Sequence, residues 1–239
     1  MEAGCRSDES GESCTLTRYR VVDTVLDIVV ERGEDEPVSG SEDGPRRERA
    51  TWLYRVEATR AAKPRPEDWD DACGDSEFGL FVAGGWDDDG RYDLNGFTFS
   101  CLDGAIAKCA YQWGYDPERA VVAEDGALTS LRAVHMACVR AVRADYCGDG
   151  TAHTRAGIPI AMTDGLGINT RSSEPDFRPE ACFDPDGALW VARARLSNTA
   201  QVRGDWLELS NCRRPVQAAD AADSVASRAV VCVASHPDG

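Results

Sequence analysis

The chain predicts an α+β fold, with β-strands at both ends around a central disulfide-linked helical pair. Three observations lead there. Val, Ile, Leu, Thr and aromatic residues gather near both ends, in the pattern of half-buried strands. Between residues 103 and 146 the apolar spacing changes to three and four, the period of a helix. Ten cysteines spread along the 239 residues, and two of them, Cys109 and Cys138, fall on the apolar faces of the two predicted helices.

Taken in order, residues 1–14 are small and polar and predict a flexible N-terminal tail, leaving 15–235 as one disulfide-rich domain. Residues 15–31 are rich in Val, Ile, Leu and Thr, which suits a strand better than a solvated helix. Residues 33–50 form a charged loop. In 51–60, Trp52, Tyr54 and Val56 alternate with polar neighbours, as in a strand with one buried face. Residues 61–77 read as an irregular loop with Trp69 and Cys73, and 78–100 as two extended segments joined at Asp89-Gly90.

Residues 103–113 predict a short helix with Ala105, Ile106, Cys109 and Ala110 on one face. Residues 126–146 predict the main helix. There Leu128, Leu131, His135, Cys138 and Val142 form the inner stripe, and Arg132, Met136, Arg140 and Arg143 another, with Gly148 as the stop. Residues 148–168 and the Pro-rich 175–185 read as loops. Strands are expected at 187–196, 204–211 and 228–235, and a weak helix or loop at 216–227.

A formal charge of −16 opposes a nucleic-acid partner, because phosphate binding needs a positive surface. Ten cysteines without a Cys-x-x-Cys pair, beside only three histidines, indicate disulfides rather than metal clusters; no metal or cofactor is expected. Disulfides place the protein outside the cytosol: secreted, periplasmic or lipid-anchored. No apolar run approaches the ~20 residues of a membrane span. Ala3-Gly4-Cys5 has the form of a lipoprotein cleavage site, which makes Cys5 a possible lipid anchor on a chain that shows no signal segment.

For chemistry, Cys147 with His153 six residues on, and Asp149 or Asp145 beside them, could form a Cys–His nucleophile for hydrolysis or acyl transfer. Against it, Cys147 follows a predicted helix C-terminus, where the dipole disfavours a thiolate. His135 and Cys138 are three apart, but two ligands do not make a metal site. The acidic turns at Asp87-Asp88-Asp89-Gly90 and Asp184-Pro185-Asp186-Gly187 fail the EF-hand spacing. No phosphate loop, nucleophile elbow, zinc-protease motif or dinucleotide fingerprint occurs. The expectation is a non-catalytic module with an envelope or extracellular partner; a Cys147/His153 enzyme is the alternative. Cys101, Cys109, Cys138 and Cys147 are the disulfide candidates, with Cys109–Cys138 and Cys101–Cys147 the expected pairs.

Phe97-Thr98-Phe99-Ser100-Cys101, the run GAIAKC over 104–109, and Trp113-Gly114-Tyr115 resemble the first half of the ADYC-domain family. So do His135, Ala137-Cys138, Ala144-Asp145-Tyr146-Cys147-Gly148-Asp149-Gly150, His153-Thr154-Arg155 and Gly157-Ile158-Pro159-Ile160 for the second half. The core block is 97–160, and the likeness extends over 50–195. The resemblance implies an exported, often lipoprotein-like protein of GC-rich bacteria, with no established activity.

Overall fold

The computed structural model describes residues 2–8, 11–32, 46–86, 92–122, 126–169, 176–195, 212 and 231–236. The strand expected at 204–211, the segment 216–227 and the Asp89-Gly90 turn lie outside the described residues. The expected α+β arrangement is corrected: among the described residues strands predominate, in three sheets, with two short helices and no central helical pair. The chain divides into two compact units: residues 1–81 with 101–103, and residues 82–100 with 104–239.

In the first unit, β1 (Glu2–Asp8) pairs antiparallel with the start of β2 (Gly11–Arg32), with the backbone of Cys5 opposite Cys14. Residues expected as a tail therefore belong to a hairpin. Its small polar residues carry no strand signal, because ladder hydrogen bonds come from the backbone. The rest of β2 pairs with β3 (Arg46–Thr59), with a bulge at Val22. β4 (Asp70–Asp71) adds to β3, and β5 (Gly79–Trp86) begins in this unit with Gly79 opposite Tyr54.

The loop before β4 is pinned by charge and by sulfur. Arg20 bonds Glu57 through Nε (2.8 Å) and Nη2 (2.5 Å), and its guanidinium lies 4.3 Å over the Trp69 ring. Asp71 accepts the Cys73 amide at 2.8 Å and Arg55 Nε at 3.1 Å. Those bonds, the Cys73 amide first, hold its carboxyl below the usual range. Cys73 is bridged to Cys101.

The second unit holds the end of β5, most of β6 (Tyr92–Cys101), and the small ladder of β7 (Ala120–Val122) with β8 (Leu128–Ser130). α1 (Ala105–Ala107) is one turn that widens into a π-helical turn over Lys108–Gln112, and α2 is Arg132–Arg143. The helix expected from residue 126 thus starts six residues later. Leu128–Ser130 pair with Ala120–Val122 instead, and the Ser130 hydroxyl accepts the Arg132 amide at 3.3 Å where the helix begins.

β9 (Ile160–Asp164), β10 (Arg178–Asp184), β11 (Gly187–Val191) and β12 (Val231–Ser235) form an antiparallel sheet in the order β11-β10-β12-β9. β9 and β10 lie in segments expected as loops. Pro179 lacks an amide proton for the ladder. The pairing of β10 with β12 shifts there, from Pro179 opposite Ala234 to Ala181 opposite Val233, and leaves Glu180 as the extra residue. A bulge redirects its side chain. α2 buries Val134, Ala137, Cys138 and Ala141 in one core with Ala181, Phe183, Val231 and Val233 of the sheet. Small residues on the helix allow that close approach.

After α2 the chain runs backbone against backbone with the β10–β11 turn. The Ala188 amide donates to the Tyr146 carbonyl at 2.8 Å. A Cβ on Gly148, whose φ is +69°, would lie 1.8 Å from the Asp186 carbonyl oxygen. Gly148→Ala should therefore cost about 2–4 kcal/mol, from backbone strain plus displacement of the turn. Urea denaturation checks this; an unchanged midpoint would show that the two segments are not in contact.

Candidate functional site

Among the described residues of the second unit, a dense polar cluster lies where α2 ends, at Ala144-Asp145-Tyr146-Cys147. A helix leaves its last four carbonyls without intrahelical partners. Here each of the four is satisfied. Ala144 takes a left-handed conformation (φ 51°) and turns the chain, so that the Asp145 amide reaches the Arg140 carbonyl at 2.9 Å. The His153 amide reaches the Arg143 carbonyl at 3.1 Å. Arg195 takes the other two: Nη2 donates to Ala141 at 2.6 Å and Nη1 to Val142 at 2.7 Å.

The remaining Arg195 donors close the cluster. Nε and Nη2 fork onto Glu180 Oε2 and Oε1, both at 2.9 Å, and Nη1 reaches Thr154 Oγ1 at 3.3 Å. All five guanidinium protons are thereby used. The Tyr146 hydroxyl donates to Glu180 Oε1 at 3.1 Å and accepts the Arg195 amide at 2.8 Å. Arg195 and Glu180 side chains are 1% and 0% exposed. Burial, and then the Glu180 charge, push the Tyr146 phenol well above its ordinary value.

A second pair braces the turn. Arg140 Nη1 bonds Asp145 Oδ2, and Arg140 Nε bonds the Pro185 carbonyl at 3.3 Å. Asp145 also accepts the amides of Asp149 (3.2 Å) and Gly150 (3.0 Å). The sequence placed Arg140 on a stripe away from the core; it is 5% exposed, because its charge meets Asp145 one turn on.

Cys147 is bridged to Cys212, and Cys109 to Cys138. The expected Cys101–Cys147 pair is thus corrected. Cys101 bonds Cys73 in the first unit, and strand pairing that brings residues 73 and 101 together leaves no trace in local spacing. Cys182 is bridged to Cys232, directly across the β10–β12 ladder. Cys73, Cys101, Cys109, Cys138, Cys147, Cys182, Cys212 and Cys232 are thus all bridged. The His153 ring lies 5.7 Å from that of Tyr146. Asp149 accepts the Thr151 amide at 2.9 Å. Burial raises the pKa of its carboxyl, but the Thr151 amide and hydroxyl and the nearby His153 outweigh this and leave it lowered.

His135 is fully buried. Its Nδ1 lies 2.8 Å from the Tyr115 carbonyl, so Nδ1–H donates, and Nε2 has no partner. Burial pushes its pKa down to about 4, against the opposing effects of the Tyr115 carbonyl and the Asp116 charge. Nearby, Asp164 gathers the Tyr115 hydroxyl (2.7 Å) and the amides of Leu166, Ile168 and Asn169, which the sequence reading did not single out. Asp184 accepts the Asp186 amide at 2.9 Å in the β10–β11 turn, and Asp87–Gly90 lie outside the described residues. Among the described residues no group of three potential metal ligands occurs. Among them, too, no helix is long and apolar enough to cross a membrane.

These features define a β-rich domain in which the end of one helix is locked to a four-stranded sheet by a buried ion pair, with the segment after the helix cross-linked through Cys147. The chain belongs to the ADYC domain family, whose profile matches residues 15–197. The Ala-Asp-Tyr-Cys run is that lock: Ala144 turns the chain, Asp145 and Tyr146 bond inward, and Cys147 is cross-linked. No curated protein and no solved structure matched the chain.

Two outcomes follow. Glu180→Gln and Arg195→Met should each cost about 3–5 kcal/mol, because each leaves a buried partner unpaired. The double variant should cost less than the two combined; additive losses in urea denaturation would show that the pair is not coupled. His135 has its pKa lowered by folding, so the unfolded chain binds its proton first. Its neutral form stabilises the fold above pH ~6.5, and that stability is lost as the pH falls toward about 4. His135→Met should remove roughly 2–3 kcal/mol of this acid sensitivity. Denaturation of both proteins at neutral and acid pH measures it, and identical pH dependence would count against the assignment.

Proposed function

We propose that this chain is an exported, disulfide-locked module that binds an envelope or extracellular partner and performs no catalysis. One observation carries the reading: the residues of the family block with the most reactive chemistry are engaged inside the fold. Cys147 is in a disulfide, Glu180 and Arg195 neutralise each other, Tyr146 is bonded to both, and His135 is buried. A Cys147 nucleophile needs a thiolate, and a disulfide sulfur offers none. Four disulfides among the described residues support an oxidising compartment. The lipoprotein-like Ala3-Gly4-Cys5 supports attachment through Cys5.

Iodoacetamide labelling of the native, non-reduced protein, read by peptide mass spectrometry, tests this. Cys147 should stay unlabelled until reductant and denaturant are added together. Rapid labelling in the native state would overturn the reading and restore the Cys147/His153 enzyme. The same spectra show whether the Cys5 peptide of protein from the native host carries acyl chains.

A further inference from the structure

In an antiparallel ladder, directly opposed residues share a face. Along β3, Ala50, Trp52, Tyr54, Val56 and Ala58 lie on one face. Their β2 partners are Ile28, Leu26, Thr24, Val21 and Tyr19. None of these residues is charged. The opposite face pairs Thr51, Leu53, Arg55, Glu57 and Thr59 with Asp27, Val25, Asp23, Arg20 and Arg18. The bulge at Val22 makes this sorting possible. Strict alternation from Ile28 would carry Tyr19 and Val21 to the charged face; the extra residue returns them to the apolar one.

Much of the uncharged face is open. Ile28 is 56% exposed, Trp52 53% and Val21 50%, with Tyr19, Leu26 and Phe81 also exposed. Phe81 joins the patch through Tyr54, their ring centroids 4.9 Å apart. Together these side chains present on the order of 500 Å² of apolar surface, close to the apolar part of the ~800 Å² that each partner contributes to a standard interface.

We propose that this face is an interface between two copies of this chain. Two lines favour a second copy as the occupant. An apolar face is self-complementary about a two-fold axis, so a single patch serves both sides. The chain carries a net charge of −16, and on this face two copies can meet without setting like charges against each other. The pairing is independent of the non-catalytic reading above, because it involves none of the residues that reading uses.

Sedimentation velocity across about 1–100 µM protein tests it, a range that spans the affinities of interfaces this size. The wild type should be dimeric in the upper part of the range. Ile28→Glu and Val21→Glu should each weaken the dimer at least tenfold, whereas Asp23→Asn, on the charged face, should leave it intact. Circular dichroism shows which variants fold, and either apolar-face variant suffices. A monomeric wild type throughout, or a dimer unaffected in a folded Ile28→Glu or Val21→Glu protein, overturns the proposal. A monomer that co-sediments with phosphatidylcholine vesicles also overturns it and assigns the face to a lipid surface.

Discussion

The bidentate contact between Arg195 and Glu180 is the constraint on which the rest of the second unit depends. A charge pair buried this deeply is not stabilising by itself, because removing both ions from water costs about what their attraction returns. Its value lies in what it forces. Arg195 cannot be buried without acceptors for all five protons, and the end of α2 supplies two of them. Glu180 cannot be buried without donors on both oxygens; Arg195 supplies one to each, and Tyr146 adds a second to Oε1. The helix end, the bulged strand and the segment after β11 therefore assemble together or leave a charge stranded. Disulfides act on the same elements from outside the network. Cys109–Cys138 ties α2 to the π-helical turn before it, and Cys182–Cys232 ties β10 to β12 beside the bulge. Their sequence separations, 29 and 50 residues, mean that each removes freedom mainly from the unfolded chain.

How much of this was legible follows from where each signal resides. β-Branched and aromatic runs located β2, β3, β11 and β12, since those residues fit a pleated, half-buried surface. The three- and four-residue spacing located the body of α2, and Cys109 and Cys138 could be seen to share the interior of a helical region. The strands β1, β9 and β10 could not be seen. β1 consists of residues with little preference for a strand, and its pairing with β2 runs through the backbone, which local sequence does not reveal. β10 contains Pro179, which argues against a central strand; the structure accommodates it by a bulge rather than by ending the strand.

The candidate site was half legible for a related reason. Asp145, Tyr146, Cys147 and His153 stood out because polar residues and cysteine beside a helix end are chemically conspicuous. Their partners Glu180, Arg195 and Cys212 lie 34, 49 and 65 residues away along the chain from Tyr146 or Cys147. Nothing in local sequence marks Glu180 as different from any solvated glutamate. Without the partners, an Asp-Tyr-Cys run near a histidine reads as reactive; with them, it reads as a fastening. The Arg140 misplacement has the same cause, since an arginine on a helix is assigned to solvent unless the carboxylate that meets it is known.

The Val22 bulge of the first unit and the Glu180 bulge of the second work in opposite directions. Inserting one residue at Glu180 turns a carboxylate into the core, where only a fully bonded guanidinium makes it tolerable. Inserting one residue at Val22 turns no charge inward; it moves two apolar side chains, Tyr19 and Val21, onto a face already occupied by Leu26, Ile28 and Trp52. A single extra residue changes the phase of every side chain beyond it, so a bulge is an inexpensive way to sort a strand whose alternation is imperfect. Water penalises an open apolar face of this size, and a monomer would gain by having the alternation the other way, with Tyr19 and Val21 dispersed among charges. The bulge that concentrates them therefore makes physical sense when the face is covered.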